Sequence, residues 1–133
     1  MSGERATYLD SSAILKLVIA EPESGVLRTW LRRRRPWVSS ALSRVEVHRA
    51  LLPFGPVVVQ RGLSVLARIE LVRISDRLLE AAGELQPPEL RSLDAVHLAT
   101  ALRLGEDLGR FVVYDARLAE AARLAGLTVI APA

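Results

Sequence analysis

Short apolar runs alternate along this chain with longer stretches whose apolar residues recur every three or four positions, the two periods of strands and helices. The first run, Ala6 to Leu9, ends at Asp10; Ser11 and Ser12 follow, then a helical segment from Ala13 to Ala20. The segment Glu21-Pro22-Glu23-Ser24-Gly25 punctuates, and a second helix from Glu23 to Arg34 carries Val26, Leu27, Trp30 and Leu31 until Pro36 stops it. Trp37-Val38-Ser39 predicts a second strand. Ser40 or Ser43 then caps a helix bearing Val45, Glu46, Val47 and Leu51, with Ser43 and Glu46 at the spacing of a capping box. Beyond the break at Pro53, Gly55 and Pro56, a helix from Val57 to Ile69, a strand from Leu71 to Ile74 and a helix from Arg77 to Leu85 are expected. Pro87-Pro88 interrupts. A strongly helical stretch runs from Ser92 to Leu104, Gly105 and Gly109 flank a loop, and Phe111 to Tyr114 is a strand ending at Asp115. A helix from Ala116 to Leu124, capped by Gly126, and a strand from Leu127 to Ile130 close the pattern. Strands alternating with helices predict an α/β fold, a three-layer α/β/α sandwich on a mostly parallel sheet, with right-handed crossovers placing helices on both faces.

At 133 residues the chain is expected to form one domain over residues 1–133. Half of it is hydrophobic, which excludes a disordered tail. With no cysteine and two histidines, a disulfide framework, a thiolate or histidine-rich metal site and a cysteine nucleophile are excluded. The amino-terminal residues Ser2, Gly3, Glu4 and Arg5 do not resemble an export signal, and apolar runs are too short for a membrane span, so a cytoplasmic protein is expected. Basic residues outnumber acidic ones by 18 to 15, and all but Lys16 are arginine, whose fork matches phosphate geometry. Aromatic residues are too few for a base-stacking platform.

Four acids stand out against this background. Asp10 and Asp115 each follow an apolar run and precede a helix, where aspartate is a good N-cap; in a parallel sheet the same positions open on the rim where ligands bind. Asp94 lies among Leu90, His97, Leu98 and Ala101, with Leu93 and Leu104 extending that face, and an ion there needs a partner or a metal unless it is a first-turn acid that only complements the helix dipole beside a capping Ser92. Glu46 is either the capping-box partner or a pair with Arg49, or a further member of an acidic cluster. Carboxylates converging in one cleft repel one another, and a hard divalent cation relieves the repulsion; magnesium prefers such ligands. Acids for a metal within an arginine-rich chain suit phosphodiester hydrolysis.

The chain resembles the PIN-domain ribonucleases, specifically the VapC-type toxins of toxin–antitoxin pairs. The resemblance rests on YLDSSAILKL (Tyr8–Leu17), SRVEVHRAL (Ser43–Leu51), LRSLDAVHLATAL (Leu90–Leu102) and FVVYDARLAEAA (Phe111–Ala122), and covers nearly the whole chain. The family's acidic positions fall on Asp10, Glu46, Asp94 and Asp115. The resemblance implies an endoribonuclease dependent on Mg2+ or Mn2+, a homodimer, an RNA substrate and a small antitoxin partner. It places Ser12 at the family's hydroxyl position after the first aspartate, where it also serves as a plain helix cap. Val113 stands where many relatives carry Thr or Ser, removing a hydroxyl that orients a carboxylate or a water. His97, one turn from Asp94, either orients a carboxylate or fills a core position. Arg32, Arg33, Arg34 and Arg35 either complement the end of their helix or contact RNA phosphates. Trp30, Leu31 and Val57 to Val59 read residue by residue as ordinary core positions of their helices, and any surplus among them as an exposed apolar patch suited to dimerisation or an antitoxin.

Three other functions were open to this sequence. A phosphoacceptor receiver shares the size and an acidic pocket but needs a lysine after a late strand, and Lys16 lies in the first helix. A non-catalytic module would use the acidic pocket for an arginine-bearing partner. A housekeeping RNA-processing nuclease would share the domain.

Overall fold

A computed structural model describes residues 5–133. Ser2 to Glu4, most of the stretch expected not to be an export signal, lies outside the described residues. Five strands form one sheet: β1 (Ala6–Leu9), β2 (Trp37–Ser40), β3 (Glu70–Val72), β4 (Leu108–Val112) and β5 (Val129–Ile130). Their order is β3-β2-β1-β4-β5 and every neighbouring pair is parallel. The chain winds outward through β2 and β3 on one side of β1, then crosses back to β4, so the strand order reverses between β1 and β4. In open parallel sheets that reversal leaves a crevice at the carboxyl ends of the two strands.

Period-two alternation sends the two faces of the sheet into separate cores. Leu9, Trp37 and Val112 meet α1 (Ser11–Lys16), α2 (Ser24–Leu31), α3 (Ser43–Leu51) and α4 (Pro56–Leu66), through Ile14, Leu27, Leu31, Val47, Leu51 and Leu66. Tyr8, Val38, Phe111 and Val113 meet α6 (Ser92–Arg103) and α7 (Ala116–Leu124) through Leu98, Ala101 and Leu118. Helix α5 (Asp76–Gly83) packs its Leu78 and Ala82 against α6. Every residue of α6 from Ala95 to Ala101 is buried, because the helix is held between the sheet, α5 and α7. No helix among the described residues is long and apolar enough to cross a membrane.

Several boundaries differ from the sequence expectation. Helix α1 stops at Lys16, whose ammonium turns to Glu23 at 2.8 Å and Glu21 at 3.4 Å, drawing the chain into a turn rather than onward to Ala20. Strand β4 begins at Leu108 and takes in Gly109, which was expected in a loop. A Cβ there would stand 2.9 Å from that of Arg5, so close approach to the chain entering β1 favours glycine. The strand ends at Val112, and Tyr114, expected within it, instead donates to the Pro132 carbonyl at 2.7 Å. Ser43 and Ser92 do not cap their helices: the N-cap positions fall on Leu42 and Arg91, neither with a side-chain cap. The Ser43 hydroxyl is committed instead to those of Ser11 and Ser39. Leu93, expected on the buried face of α6, is half exposed.

Of the apolar residues weighed as core or patch, most are core. Leu31 is fully buried, and Trp30, Val58 and Val59 pack against the first core. What remains outside is Val57, 73% exposed, with Leu52 and Phe54 beside it on the turn between α3 and α4.

Helix α7 ends as expected. Gly126 sits at φ 93°, with its N–H on the Arg123 carbonyl at 2.9 Å and the Leu127 N–H on that of Ala122 at 3.0 Å, a Schellman closure. Gly126→Ala places a Cβ in the left-handed region and is expected to cost about 1 kcal/mol, read as a lowered midpoint in urea unfolding at unchanged slope.

Candidate active site

The crevice between β1 and β4 collects all four acids singled out in the sequence. Asp10 ends β1 and caps α1: its carboxylate accepts from the Ala13 N–H at 2.9 Å and from the Ser12 hydroxyl at 2.9 and 3.1 Å. It is almost completely buried. Burial pushes its pKa up, against the Ala13 N–H, the His97 ring and the Ser12 hydroxyl, while the nearby charge of Asp94 adds to the rise. Asp115 caps α7, accepting from the Leu118 N–H at 3.2 Å. The capping role expected for both aspartates is real, and it holds each of them at the rim. Asp115 takes this position without a hydroxyl at residue 113, because Val113 is buried in the second core.

Asp94 lies in the first turn of α6, and it shares a cavity of about 340 Å³ with Glu46 and Arg91. Arg91, which the sequence pattern did not single out, bridges two acids: its Nε donates to Asp94 at 3.2 Å and its Nη2 stands 3.8 Å from Asp115. The guanidinium is largely exposed, so this is a solvent-screened counter-charge rather than a buried ion pair. Its position three residues before Asp94, on the same side of the helix start, was the signal available in the sequence.

Glu46 is held from inside the fold. His97 Nε2 lies 2.8 Å from Glu46 Oε1, and Ser11 donates to the same oxygen. The carboxylate accepts, so Nε2 carries the proton, and in the neutral ring Nδ1 accepts from the Tyr8 hydroxyl at 2.7 Å. Burial keeps Tyr8 protonated by pushing its pKa far up. For Glu46, burial acts to raise the pKa, but the His97 and Ser11 hydrogen bonds outweigh it and the net shift is downward. His97 therefore does what one of its two sequence readings proposed: it orients a carboxylate, from a buried position. The hydroxyl chain continues from Ser11 to Ser43 at 3.1 Å, Ser43 to Ser39 at 2.8 Å, and Ser39 to the Leu9 carbonyl at 2.6 Å. Ser11, Ser39, Ser43 and Tyr8 were not recognised from sequence as parts of the site. Apart from the Ser39–Ser43 contact, four residues apart, their partners lie 30 to 89 residues away, which no local pattern reveals.

Among the described residues, no three acidic or histidine side chains are placed close enough together to hold a metal ion as they stand. The donor chemistry nevertheless fits a hard cation. All four acids offer oxygen, and Glu46 Oε2, Asp94 Oδ1 and Asp115 Oδ1 accept no hydrogen bond from a described residue. The arginine run does not reach this rim. Arg33, Arg34 and Arg35 line a separate cavity at the opposite edge of the sheet, and Arg32 lies outside that cavity.

A parallel sheet in this order, with acids from β1, α3, α6 and the β4–α7 turn at its switch point, defines a PIN-type nuclease scaffold. The chain belongs to the PIN domain family, whose model matches residues 7–124. Its relatives within that family include VapC ribonucleases of Mycobacterium tuberculosis. It is 57% identical to Ribonuclease VapC46 over 127 residues, covering 96% of this chain and 98% of that one. It is 43% identical to Ribonuclease VapC35 over 129 residues, covering 94% and 96%. Among solved structures, M. tuberculosis VapC20, described as a sarcin–ricin-loop-cleaving toxin, superposes with a TM-score of 0.74 at 16% identity, covering 95% of this chain and 99% of that one. A toxin–antitoxin complex from Klebsiella pneumoniae superposes with a TM-score of 0.71 at 22% identity, covering 96% and 98%. At those identities the two structures support the fold.

Proposed function

We propose that this chain is the toxin of a toxin–antitoxin pair and acts as a metal-dependent endoribonuclease, hydrolysing RNA phosphodiester bonds at the crevice of Asp10, Glu46, Asp94 and Asp115. The observation that carries the reading is the convergence of these four acids, from four separate elements, at the switch point of a VapC-type PIN domain. Asp10, Glu46 and Asp94 would hold Mg2+, or Mn2+ with the same oxygen preference, and Asp115 would support it or a second ion. When bound, such an ion lowers the pKa of a water and offsets charge on the phosphate.

The chain's own residues have distinct parts in this reading. His97 and Ser11 fix Glu46 Oε1 and leave Oε2 directed to ligand chemistry rather than to protein donors. Ser12 and the Ala13 N–H keep Asp10 in one rotamer. Arg91 neutralises Asp94 and Asp115 and, being exposed, is free to turn to a phosphate oxygen. In the reaction a water oxygen forms a bond to phosphorus as the bond to one ribose oxygen breaks, and a proton passes to that leaving oxygen.

A homodimer and a small antitoxin complete the proposal. A mass in solution of twice the chain mass, and co-purification with the product of a neighbouring reading frame, are the expected results.

The decisive experiment is incubation of a cellular RNA pool with the purified chain and magnesium, alongside an Asp10→Ala preparation made identically. Discrete fragments from the unaltered chain alone, lost on adding a chelator, are expected. Equal fragments from both preparations would assign the activity to a contaminant, and fragments that persist in chelator would remove the metal from the proposal.

A further inference from the structure

The amino edge of the sheet, opposite the acid crevice, carries a cavity of about 580 Å³ lined by Arg5, Arg33, Arg34, Arg35 and Arg110, together with Gly109 and Thr128. These arginines come from three places in the sequence: the entry to β1, the segment leading into β2, and the middle of β4. Parallel pairing brings all three to one edge. Guanidinium groups do not lose their charge near neutral pH, so gathering five of them costs electrostatic energy unless an anion is near. Among the described residues, none of the five has a carboxylate within ion-pair distance.

Three of the five groups are held against the protein. Arg34 lies 4.3 Å above the Trp30 ring and donates to the Trp30 carbonyl at 2.6 Å. Arg35 stacks on Trp37 at 4.2 Å, and Arg110 approaches the other indole, Trp30, at 5.9 Å. Both tryptophans thus serve as platforms for guanidinium and not for bases. A ligand here meets positive forks and no free aromatic face, which suits phosphate oxygens and gives no means of reading sequence.

We infer that this arginine cavity is a second RNA-binding site, which grips backbone phosphates of a strand whose cleavage point lies in the acid crevice. The inference rests on the ribonuclease reading. It also answers a difficulty in that reading, because four carboxylates repel an incoming polyanion and most of the holding must come from elsewhere. The two edges are separated by the length of β1, four residues at ~3.3 Å each, so only an RNA of several nucleotides spans both.

The test compares two double variants that remove equal charge. Arg33→Ala/Arg35→Ala empties the cavity wall, whereas Arg28→Ala/Arg32→Ala alters exposed arginines on α2 and just beyond it that do not line the cavity. Binding of a fluorescent 20-nucleotide single strand is measured by anisotropy in chelator over a salt series, so that no cleavage is needed. The cavity variant is expected to bind at least tenfold more weakly and to lower the log–log salt slope by about 1.4, roughly 0.7 for each phosphate no longer neutralised. The control should change affinity less than threefold. Cleavage of a dinucleotide should be equal in all three proteins, with long RNA cut more slowly by the cavity variant alone. Equal weakening in both variants, or in neither, overturns the site. So does displacement of RNA from the unaltered chain by oligoglutamate as readily as by polyphosphate, which would make it a seat for an acidic peptide. Cavity-dependent binding without any magnesium-dependent cleavage would leave this site standing and remove the ribonuclease reading. Normal cleavage with unchanged binding would do the reverse.

Discussion

Asp94→Asn should reduce RNA cleavage by at least about a thousandfold while leaving the fold nearly as stable as before. The substitution keeps size and hydrogen-bonding shape and removes one negative charge from the crevice. Metal-site charge stabilisation is worth several kcal/mol, and each 1.36 kcal/mol is a factor of ten in rate. The structural cost is small because the partner of Asp94 is the largely exposed Arg91, and pairs of that kind contribute about 1 kcal/mol or less. Single-turnover cleavage of a mapped target and a urea melt on the same preparation check both halves. Cleavage within tenfold of the unaltered chain would remove Asp94 from the site. A large drop in the urea midpoint would show that its role is in the fold.

His97→Ala should damage both stability and activity, and Tyr8→Phe chiefly stability. The His97 ring is buried and, besides a longer contact with the Ser11 hydroxyl at 3.2 Å, makes two close hydrogen bonds, to Tyr8 at 2.7 Å and Glu46 at 2.8 Å. Removing it deletes both, leaves a cavity beneath α6, and deprives Tyr8 of its partner; about 3 kcal/mol is expected, or a fall of roughly 10 °C in Tm. Glu46 then loses one of the two groups that fix its rotamer. Orienting partners of this kind are commonly worth ~10- to 100-fold in metal affinity or rate. Tyr8→Phe keeps the His97–Glu46 bond and should cost about 1 kcal/mol, with cleavage at 25 °C within about threefold. Calorimetry on the three proteins, with cleavage measured well below each Tm, separates the two effects. Equal cleavage by His97→Ala and the unaltered chain would confine His97 to the core.

The four acids were legible because each breaks a local rule or occupies a marked position: two follow strands at helix starts, one sits on an apolar helix face, one lies near a helix start. The layering was legible from the same alternation of periods. The support of Glu46 was not. Ser11 reads as one more small residue at a helix start, Ser43 as a cap and Tyr8 as a strand residue, yet in the fold they converge on one carboxylate through contacts that span β1, α3 and α6. The capping box expected at Ser43 and Glu46 failed for that reason: both side chains found better-placed partners on other elements.

The sequence by itself determined the alternating elements, the parallel sheet they imply, the acids and the family to which the chain belongs, because these depend on local periodicity and on residue types that carry chemistry. Only the tertiary structure decided that Arg91 bridges Asp94 and Asp115, that His97 faces Glu46, and that the arginine run joins Arg5 and Arg110 at the edge remote from the crevice. Those relations arise where β1, β2 and β4 lie side by side, and a parallel sheet makes neighbours of strands that the chain separates by tens of residues.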